Sequence, residues 1–390
     1  MRLPRAPWRD REGLAELAAA LGADRDLSRY VGGAVRDTLL GLDVSDVDIA
    51  TKLTPPEVLD RLKAAGIRAV PTGLAHGTVT AVLASGPVEV TTLRRDVETF
   101  GCHATVAFST EWEEDAARRD FTMNALYADP IDGALHDYHG GLADLAANRV
   151  RFIGDPLQRI AEDHLRILRF FRFHARFGDA VDAEGLAACA RRANDLMALS
   201  RERIASELLK LLVARSAVPV IDLMVEHGIF RAVLPEITAE SAQRLRTLSQ
   251  REAAAGVAPD AIRRLAALVP AKTAESVGAR LKLSNADRKR LEGATAGPGD
   301  EGPRGLAYRV GAPSALDRLL LAGEPLDALG DWTPPAMPLT GGALVQRGLA
   351  KGPDVARTLK KLETRWIAAG FPPAVPEEWI DQAVGEAISR

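Results

Sequence analysis

Three carboxylates in strand-like surroundings carry the strongest chemical signal in this sequence. In Asp46-Val47-Asp48-Ile49 the two acids stand two residues apart, so on an extended chain they share one face while Val47 and Ile49 take the other. Like charges so close repel each other unless a cation sits between them. Carboxylates that hold two Mg2+ ions stabilise both the attacking and the leaving oxygen in phosphoryl or nucleotidyl transfer. Val88-Glu89-Val90 repeats the apolar-acid-apolar pattern and offers a third carboxylate to the same metals. Each acid alone reads as one side of a solvated strand; the three together read as a catalytic set.

Other residues of suitable chemistry flank this set. Tyr30-Val31-Gly32-Gly33-Ala34-Val35-Arg36-Asp37 reads as a strand, a Gly-Gly turn and a helix that stops at Gly41. Such a turn lets backbone N–H groups approach an anion at a helix N-terminus, although a plain tight turn has the same sequence. Arg118-Arg119-Asp120-Phe121-Thr122-Met123-Asn124-Ala125 supplies cations for phosphate oxygens, with Asp and Asn to hydrogen-bond ribose hydroxyls. A capped helix with surface charges is the alternative there. Further on, Arg159, Glu162, Asp163 and Arg166 follow at helical spacing and can brace one another as ion pairs on one face of a long helix. A salt-bridged surface helix is the usual explanation. The chemical one is that a carboxylate accepts from an exocyclic amine while a guanidinium donates to ring acceptors, so that protein groups read a base edge. Between Arg149 and Phe177 seven arginines, Arg169 among them, face only Asp155, Glu162 and Asp163, which suits phosphate binding.

The elements that must position these residues change character along the chain. Over residues 1–150 helix-like and strand-like stretches alternate, with β-rich runs at 27–31, 47–50, 67–70, 78–83 and 88–93, so a mixed sheet is expected. Thr54-Pro55-Pro56-Glu57 combines an N-cap, an early proline and a capping-box Glu, and predicts a helix over 55–65. Residues 94–115 have poor periodicity and are expected to form a flexible loop. A long helix is expected to open at Asp155-Pro156 and run to Phe177, with helical periodicity in nearly everything that follows. The expected division is 1–150, 151–230 and 231–390.

Composition narrows the function classes. With 390 residues, 47% hydrophobic and 26% charged, the chain can bury more than one core. A formal charge of −3 excludes a uniformly basic nucleic-acid coat, so RNA contact must come from local Arg and Lys clusters. Cys102 and Cys189 are too few for a disulfide framework or a Cys-based zinc site and suit a reducing, cytoplasmic setting. No apolar run approaches the ~18–20 residues of a membrane span, so no membrane partner is expected.

Gly32-Gly33-x-x-Arg36-Asp37, Asp46-x-Asp48, Arg118-Arg119-Asp120-Phe121-Thr122-x-Asn124-Ala125 and Glu162-Asp163-x-x-Arg166 stand in the order and spacing of the class II nucleotidyltransferases, and the chain resembles that family. The family comprises CCA-adding enzymes and bacterial poly(A) polymerases. The resemblance implies an α/β head like that of DNA polymerase β, followed by an all-α neck, body and tail. It implies Asp46 and Asp48 as metal ligands; with Glu89, read from its own strand pattern, they make up the expected catalytic set. Nucleotide binding falls to Gly32, Gly33, Arg36, Arg119, Asp120, Asn124, Asp163, Arg166 and Arg169. Within that set Arg119, Asp120 and Asn124 lie near the ribose, and Asp163 with Arg166 selects CTP and ATP. The expected cofactor is Mg2+ and the expected partner is tRNA.

Asp137-Tyr138-His139-Gly140-Gly141-x-x-Asp144 resembles the family's hinge, and Ser200-Arg201-Glu202-Arg203 with Glu207 and Lys210 its neck-supporting motif. Cys102 departs from the basic residue usual in the loop. Thr72-Gly73-Leu74-Ala75-His76-Gly77-Thr78 is similar to the CCA-adding version of that segment, which favours addition of C, C and A over poly(A) or partial addition. A protein that binds RNA without catalysis is the reading from another class.

Overall fold

The structure, a computed structural model, describes residues 1–100 and 103–389. The chain folds into two compact units, Met1–Pro235 and Glu236–Arg390. The first opens with α1 (Leu14–Ala20), β1 (Ser28–Val31), α2 (Gly33–Leu39), β2 (Asp48–Thr51) and α3 (Pro55–Ala64). It continues through β3 (Arg68–Gly73), β4 (Thr78–Leu83), β5 (Gly86–Thr92), β6 (Arg94–Phe100), β7 (His103–Phe108) and α4 (Trp112–Ala117). After β8 (Leu126–Ala128), β9 (Leu135–Asp137) and α5 (Gly141–Ala146) come the helices α6 (Pro156–Glu162), α7 (Leu165–Phe177), α8 (Ala183–Arg191), α9 (Arg201–Leu212) and α10 (Ala217–Glu226).

Seven strands form the expected mixed sheet in the order β3-β4-β5-β2-β1-β8-β9. β2 and β5 run parallel, and the neighbours on either side pair antiparallel. Val47, Ile49, Val88 and Val90 are all buried, so their alternation fixes which face the intervening acids take. α3 starts with the expected capping box, Thr54 N donating to Glu57 Oε2 at 2.7 Å, and buries Val58 and Leu62. β8 and β9 escape the sequence reading because three residues are too few for a period-2 pattern.

Residues 94–115 are not a loop throughout. β6 and β7 pair antiparallel from Arg94–Phe108 inward, and α4 follows. The β-branched and aromatic residues that spoil helical periodicity here are those a strand ladder accepts. Cys102 lies outside the described residues.

The expected single helix over 156–177 is two. Asp163 leaves the helix at φ −147° and ψ 106°, and its Oδ1 accepts the Leu165 amide at 3.1 Å to start α7. An aspartate that offers its own acceptor to the backbone competes with helix continuation. α7 then buries Phe170 and Phe173 against Phe121 and Phe152, with ring centroids 5.0–6.3 Å apart among the four, and Phe171 and Phe177 extend the cluster from Phe170 and Phe173. This aromatic cluster fixes the helices after residue 155 to the sheet-bearing part of the unit.

The second unit is all helical among its described residues: α11 (Ala239–Ala254), α12 (Ala261–Leu268), α13 (Ala274–Arg280), α14 (Asn285–Ala294), α15 (Gly302–Val310), α16 (Ala312–Ala322), α17 (Gly341–Gln346), α18 (Pro353–Ala368) and α19 (Glu377–Ile388). Its last three helices bury Leu344, Leu362, Trp366, Ile380 and Val384 together. None of the described helices is long and apolar enough to cross a membrane.

Candidate active site

Where β1 meets α2, Gly32 adopts φ 70° and ψ −123°, a conformation that side chains avoid. Its amide joins the sheet by donating to Leu126 O at 3.2 Å. A Cβ there would lie 3.6 Å from Arg119 Nη1 and 3.7 Å from Asn124 O, so the turn runs close beside the Arg119–Asn124 segment. The first amides of α2 have no helical acceptor and are open to an anion.

On the adjoining strands Asp48 and Glu89 are register partners of β2 and β5 and therefore share a face. Burial and the Glu89 charge push the Asp48 carboxyl up to about 6, with Asp46 adding to the rise and Arg119 opposing it. Asp46 precedes the strand, is exposed, and accepts from Ser45 Oγ at 2.8 Å. Among the described residues no three acidic, His or Cys side chains enclose a metal site. The acids thus form an open set. Their oxygen donors and mutual repulsion fit a hard divalent cation of the kind held by one or two carboxylates and completed by substrate phosphates.

Two buried carboxylates hold the cations around this set. Asp115, whose side chain is 1% exposed, accepts from Arg118 Nε (2.8 Å), Arg119 Nη2 (3.0 Å) and Tyr127 Oη (2.7 Å). Burial works against its charge, but the Arg119 and Arg118 guanidiniums outweigh that and hold it at about 2. Asp120 accepts its neighbour's amide from Phe121 (2.8 Å), Asn124 Nδ2 (3.0 Å) and Arg169 Nε (2.7 Å). Burial raises its pKa; the Arg169 guanidinium together with the hydrogen bonds from Asn124 and Phe121 reverses this, and the net shift is downward. Asn124 Oδ1 in turn accepts from Arg36 Nη1 at 2.6 Å, while Arg36 lies 4.4 Å over the Phe177 ring. Both Asp120 oxygens are engaged by protein groups, so Asp120 fixes the positions of Asn124 and Arg169 on the cavity wall. Behind Thr122, Gly141 packs so closely that a Cβ would lie 2.3 Å from Thr122 O, and Asp144 accepts the Thr122 hydroxyl at 2.7 Å.

The helix break supplies the remaining wall. Asp163 faces Arg203, whose Nη2 lies 2.9 Å from Oδ2 and 3.2 Å from Oδ1. Arg166 is pinned by Arg159 O (2.9 Å), Glu162 Oε2 (2.6 Å) and Arg118 O (2.9 Å). Those three bonds leave Nε–H and one Nη2 proton without partners among the described residues. Glu162 also pairs with Arg159.

Gly32, Gly33, Arg36, Asp48, Arg119, Asp120, Asn124, Asp163, Arg166 and Arg169 line one cavity of about 370 Å3, joined by Arg118 and Phe173. Asp46 and Glu89 are not in its lining. Sequence reasoning missed three contributors. The i,i+4 pair Asp115/Arg119 was a legible signal for Asp115, whereas Phe173 and Arg203 reach the site only through the fold of α7 and α9.

A sequence profile described as "Poly A polymerase head domain" matches residues 28–151, and one described as "Probable RNA and SrmB- binding site of polymerase A" matches 180–241. Along nearly its whole length the chain is 36% identical to mitochondrial CCA tRNA nucleotidyltransferase 1 of Mus musculus, covering 92% of this chain and 87% of the relative. The chain belongs to the CCA tRNA nucleotidyltransferase family. Another member, the CCA-adding enzyme of Lacticaseibacillus paracasei, is 30% identical over 88% of each chain. The family fold is shared with the Bacillus stearothermophilus CCA-adding enzyme in complex with CTP (TM-score 0.72, 24% identity, 99% of this chain and 98% of that one). It is shared equally with the Thermotoga maritima CCA-adding enzyme complexed with tRNA (TM-score 0.72, 19% identity, 96% and 95%).

Proposed function

We propose that this protein is a CCA tRNA nucleotidyltransferase that adds C, C and A in turn to tRNA 3′ ends, taking the nucleotides from CTP and ATP. The observation that carries the reading is a single cavity bringing a strand carboxylate and a Gly-Gly turn together with Asp163 and Arg166. One end suits a triphosphate and the other a base edge. Relatives of matching length named as CCA-adding enzymes favour this over poly(A) addition.

In the reaction the RNA 3′-hydroxyl gives up its proton to solvent as its oxygen bonds to the α-phosphorus, the bond from that phosphorus to the α,β-bridging oxygen breaks, and pyrophosphate leaves. Mg2+ held by Asp46 and Asp48, with Glu89 beside them, would supply charge neutralisation at the attacking and leaving oxygens. Arg119, held by Asp115, meets the phosphates at the turn of Gly32 and Gly33. Asn124, oriented by Asp120 and Arg36, hydrogen-bonds the ribose. Asp163 retains acceptor capacity for the exocyclic amine of C or A, and the unused donors of Arg166 meet the ring acceptors. Asp163 bears on base choice, whereas the carboxylates of β2 and β5 bear on rate. A cytoplasmic location belongs to the same proposal, and fractionation of cells expressing a tagged chain checks it.

The deciding experiment incubates purified protein and Mg2+ with tRNA lacking its terminal CCA, supplies CTP, ATP or both, and resolves products at single-nucleotide length. Three additions that stop at CCA are expected. A long A ladder from ATP alone moves the chain to the poly(A) polymerases; arrest after CC marks a partial activity.

A further inference from the structure

Tyr127 is the central residue of β8, and its side chain is fully buried. The strand pairs it with Val31 of β1 and His136 of β9, and its ring packs edge-on against Trp112 and Tyr138, with centroids 5.6 and 6.0 Å away. Sheet register and aromatic packing therefore fix where its hydroxyl stands, with no ligand needed. That hydroxyl donates to Asp115 Oδ2 at 2.7 Å and accepts from Arg119 Nε at 3.2 Å. Burial pushes its pKa above the ordinary tyrosine range, so the phenol stays neutral and keeps its proton for Asp115. Arg119 also reaches Asp115 Oδ2 through Nη2 at 3.0 Å and through Nε at 3.3 Å. Its Nη1 has no partner among the described residues, and this is the atom 3.6 Å from where a Gly32 Cβ would lie.

We infer that Tyr127 is a positioning residue for nucleotide transfer, its hydroxyl setting the direction in which Arg119 presents Nη1 to the triphosphate at the turn of Gly32 and Gly33. The inference rests on the reading of this cavity as the nucleotide site. A guanidinium and a carboxylate with no other partners pair through two parallel N–H···O bonds, one to each oxygen. Asp115 cannot offer that to Arg119, because Arg118 takes Oδ1 through both Nε (2.8 Å) and Nη2 (2.7 Å). A single acceptor atom, Oδ2, would let the Arg119 guanidinium pivot. The Tyr127 oxygen supplies the second fixed point, and two fixed acceptors define the plane of the guanidinium and the aim of its remaining nitrogen. Tyr127 is not in the cavity lining, so it acts only through Arg119. The phosphates are common to CTP and ATP, so the hydroxyl should matter equally to both and not to the choice of base.

The test compares the full-length wild type with Tyr127→Phe, Arg119→Ala and the double variant, using tRNA lacking CCA as primer. Addition is measured with CTP, ATP and UTP, and binding of CTP and of CMP, which lacks the β- and γ-phosphates, by equilibrium dialysis. Tyr127→Phe is expected to lower kcat/KM about tenfold for CTP and ATP alike, to leave the CTP-to-UTP ratio unchanged, and to weaken binding of CTP but not of CMP. In the Arg119→Ala background the same change should cost less than about twofold more, since the hydroxyl then has no guanidinium to direct. A full tenfold loss in that background, or an equal loss for CTP and CMP, makes Tyr127 a packing residue and overturns the inference; so does wild-type efficiency in Tyr127→Phe. Urea unfolding checks that each variant is folded. If Tyr127→Phe is not, 3-fluorotyrosine at position 127 keeps the ring and hydroxyl, weakens the oxygen as an acceptor, and must weaken CTP binding by a smaller factor, unchanged binding overturning the inference. A wild type that adds no nucleotide but prefers CTP to CMP through Tyr127 leaves the inference standing and ends the enzymatic reading; Tyr127→Phe adding CCA at wild-type efficiency does the reverse.

Discussion

Each unit buries a network of arginines and carboxylates, and the two networks end differently. In the first, Asp115 and Asp120 hold Arg118, Arg119 and Arg169 with part of each guanidinium left on a cavity; the Arg169 side chain is 30% exposed. In the second, Arg263 gives Nε to Glu252 (2.8 Å), Nη1 to Asp317 (3.3 Å) and Nη2 to Ala258 O (2.6 Å), and is 3% exposed. Arg264 shares Glu252, and Arg290 binds Asp317 and Asp260, so four elements are tied together with few donors remaining. Buried ion pairs alone therefore mark no site. What distinguishes the first network is convergence on a cavity that also receives a glycine turn and a strand carboxylate. There the carboxylates hold cations on the wall of a cavity; in the second unit the cations are held between buried carboxylates.

This contrast breaks most sharply at Asp48. Replacing Asp48 with Ala should lower single-turnover addition about 10^4-fold, on the order of 5.5 kcal/mol, while tRNA affinity is kept. Substantial residual turnover would remove the metal role from β2. The counterpart is Asp317→Ala, which leaves Arg263 and Arg290 partly uncompensated in the interior of the second unit. It should destabilise the protein by about 3–5 kcal/mol in urea unfolding without changing CTP affinity. A change in CTP affinity at intact stability would show that the second network also addresses a ligand.

How far the sequence carried this picture depended on the range of the interactions involved. Asp46-x-Asp48 and Val88-Glu89-Val90 were legible because alternation on a strand sets the face directly, and the sheet then makes Asp48 and Glu89 register partners. The capping box at Thr54 was legible for the same local reason. The break at Asp163 was not, since helical periodicity continues through it and only the Asp163 carboxylate turning onto the Leu165 amide ends α6. Phe173, which lines the cavity, and Arg203, which meets it only through Asp163, were invisible as site residues because the packing of α7 and α9 places them there. The strands over 94–108 were hidden by irregular alternation, matched by a register shift between Asp96 and Glu98.

The networks should also differ in acid. Asp115 is held at about 2, below the ordinary 3.8 of a free carboxyl, because its two arginines outweigh burial. A depressed carboxylate contributes stability that is full above pH ~4 and is lost as pH falls through about 2, an effect of about 2–3 kcal/mol. Asp115→Asn should flatten the fall in unfolding free energy between pH 4 and 2, and an unaltered acid limb would mean that Arg118 and Arg119 do not depend on this carboxylate.

The smallest expected effect lies within the cavity itself, and it separates aiming a cation from reading a base. Asp163 is partly exposed and already accepts from Arg203 and the Leu165 amide, so its loss disturbs local order as well as recognition. Asp163→Ala should cost about 1–3 kcal/mol of discrimination between CTP and UTP, measured as the ratio of kcat/KM values. Arg203→Ala provides the control, since it leaves the Asp163 acceptors free but removes the group that fixes their direction. If both variants lower turnover with CTP and UTP equally, Asp163 serves only to break the helix. If Asp163→Ala alone equalises the two nucleotides, the carboxylate itself meets the exocyclic amine, and the break in the helix exists to present it.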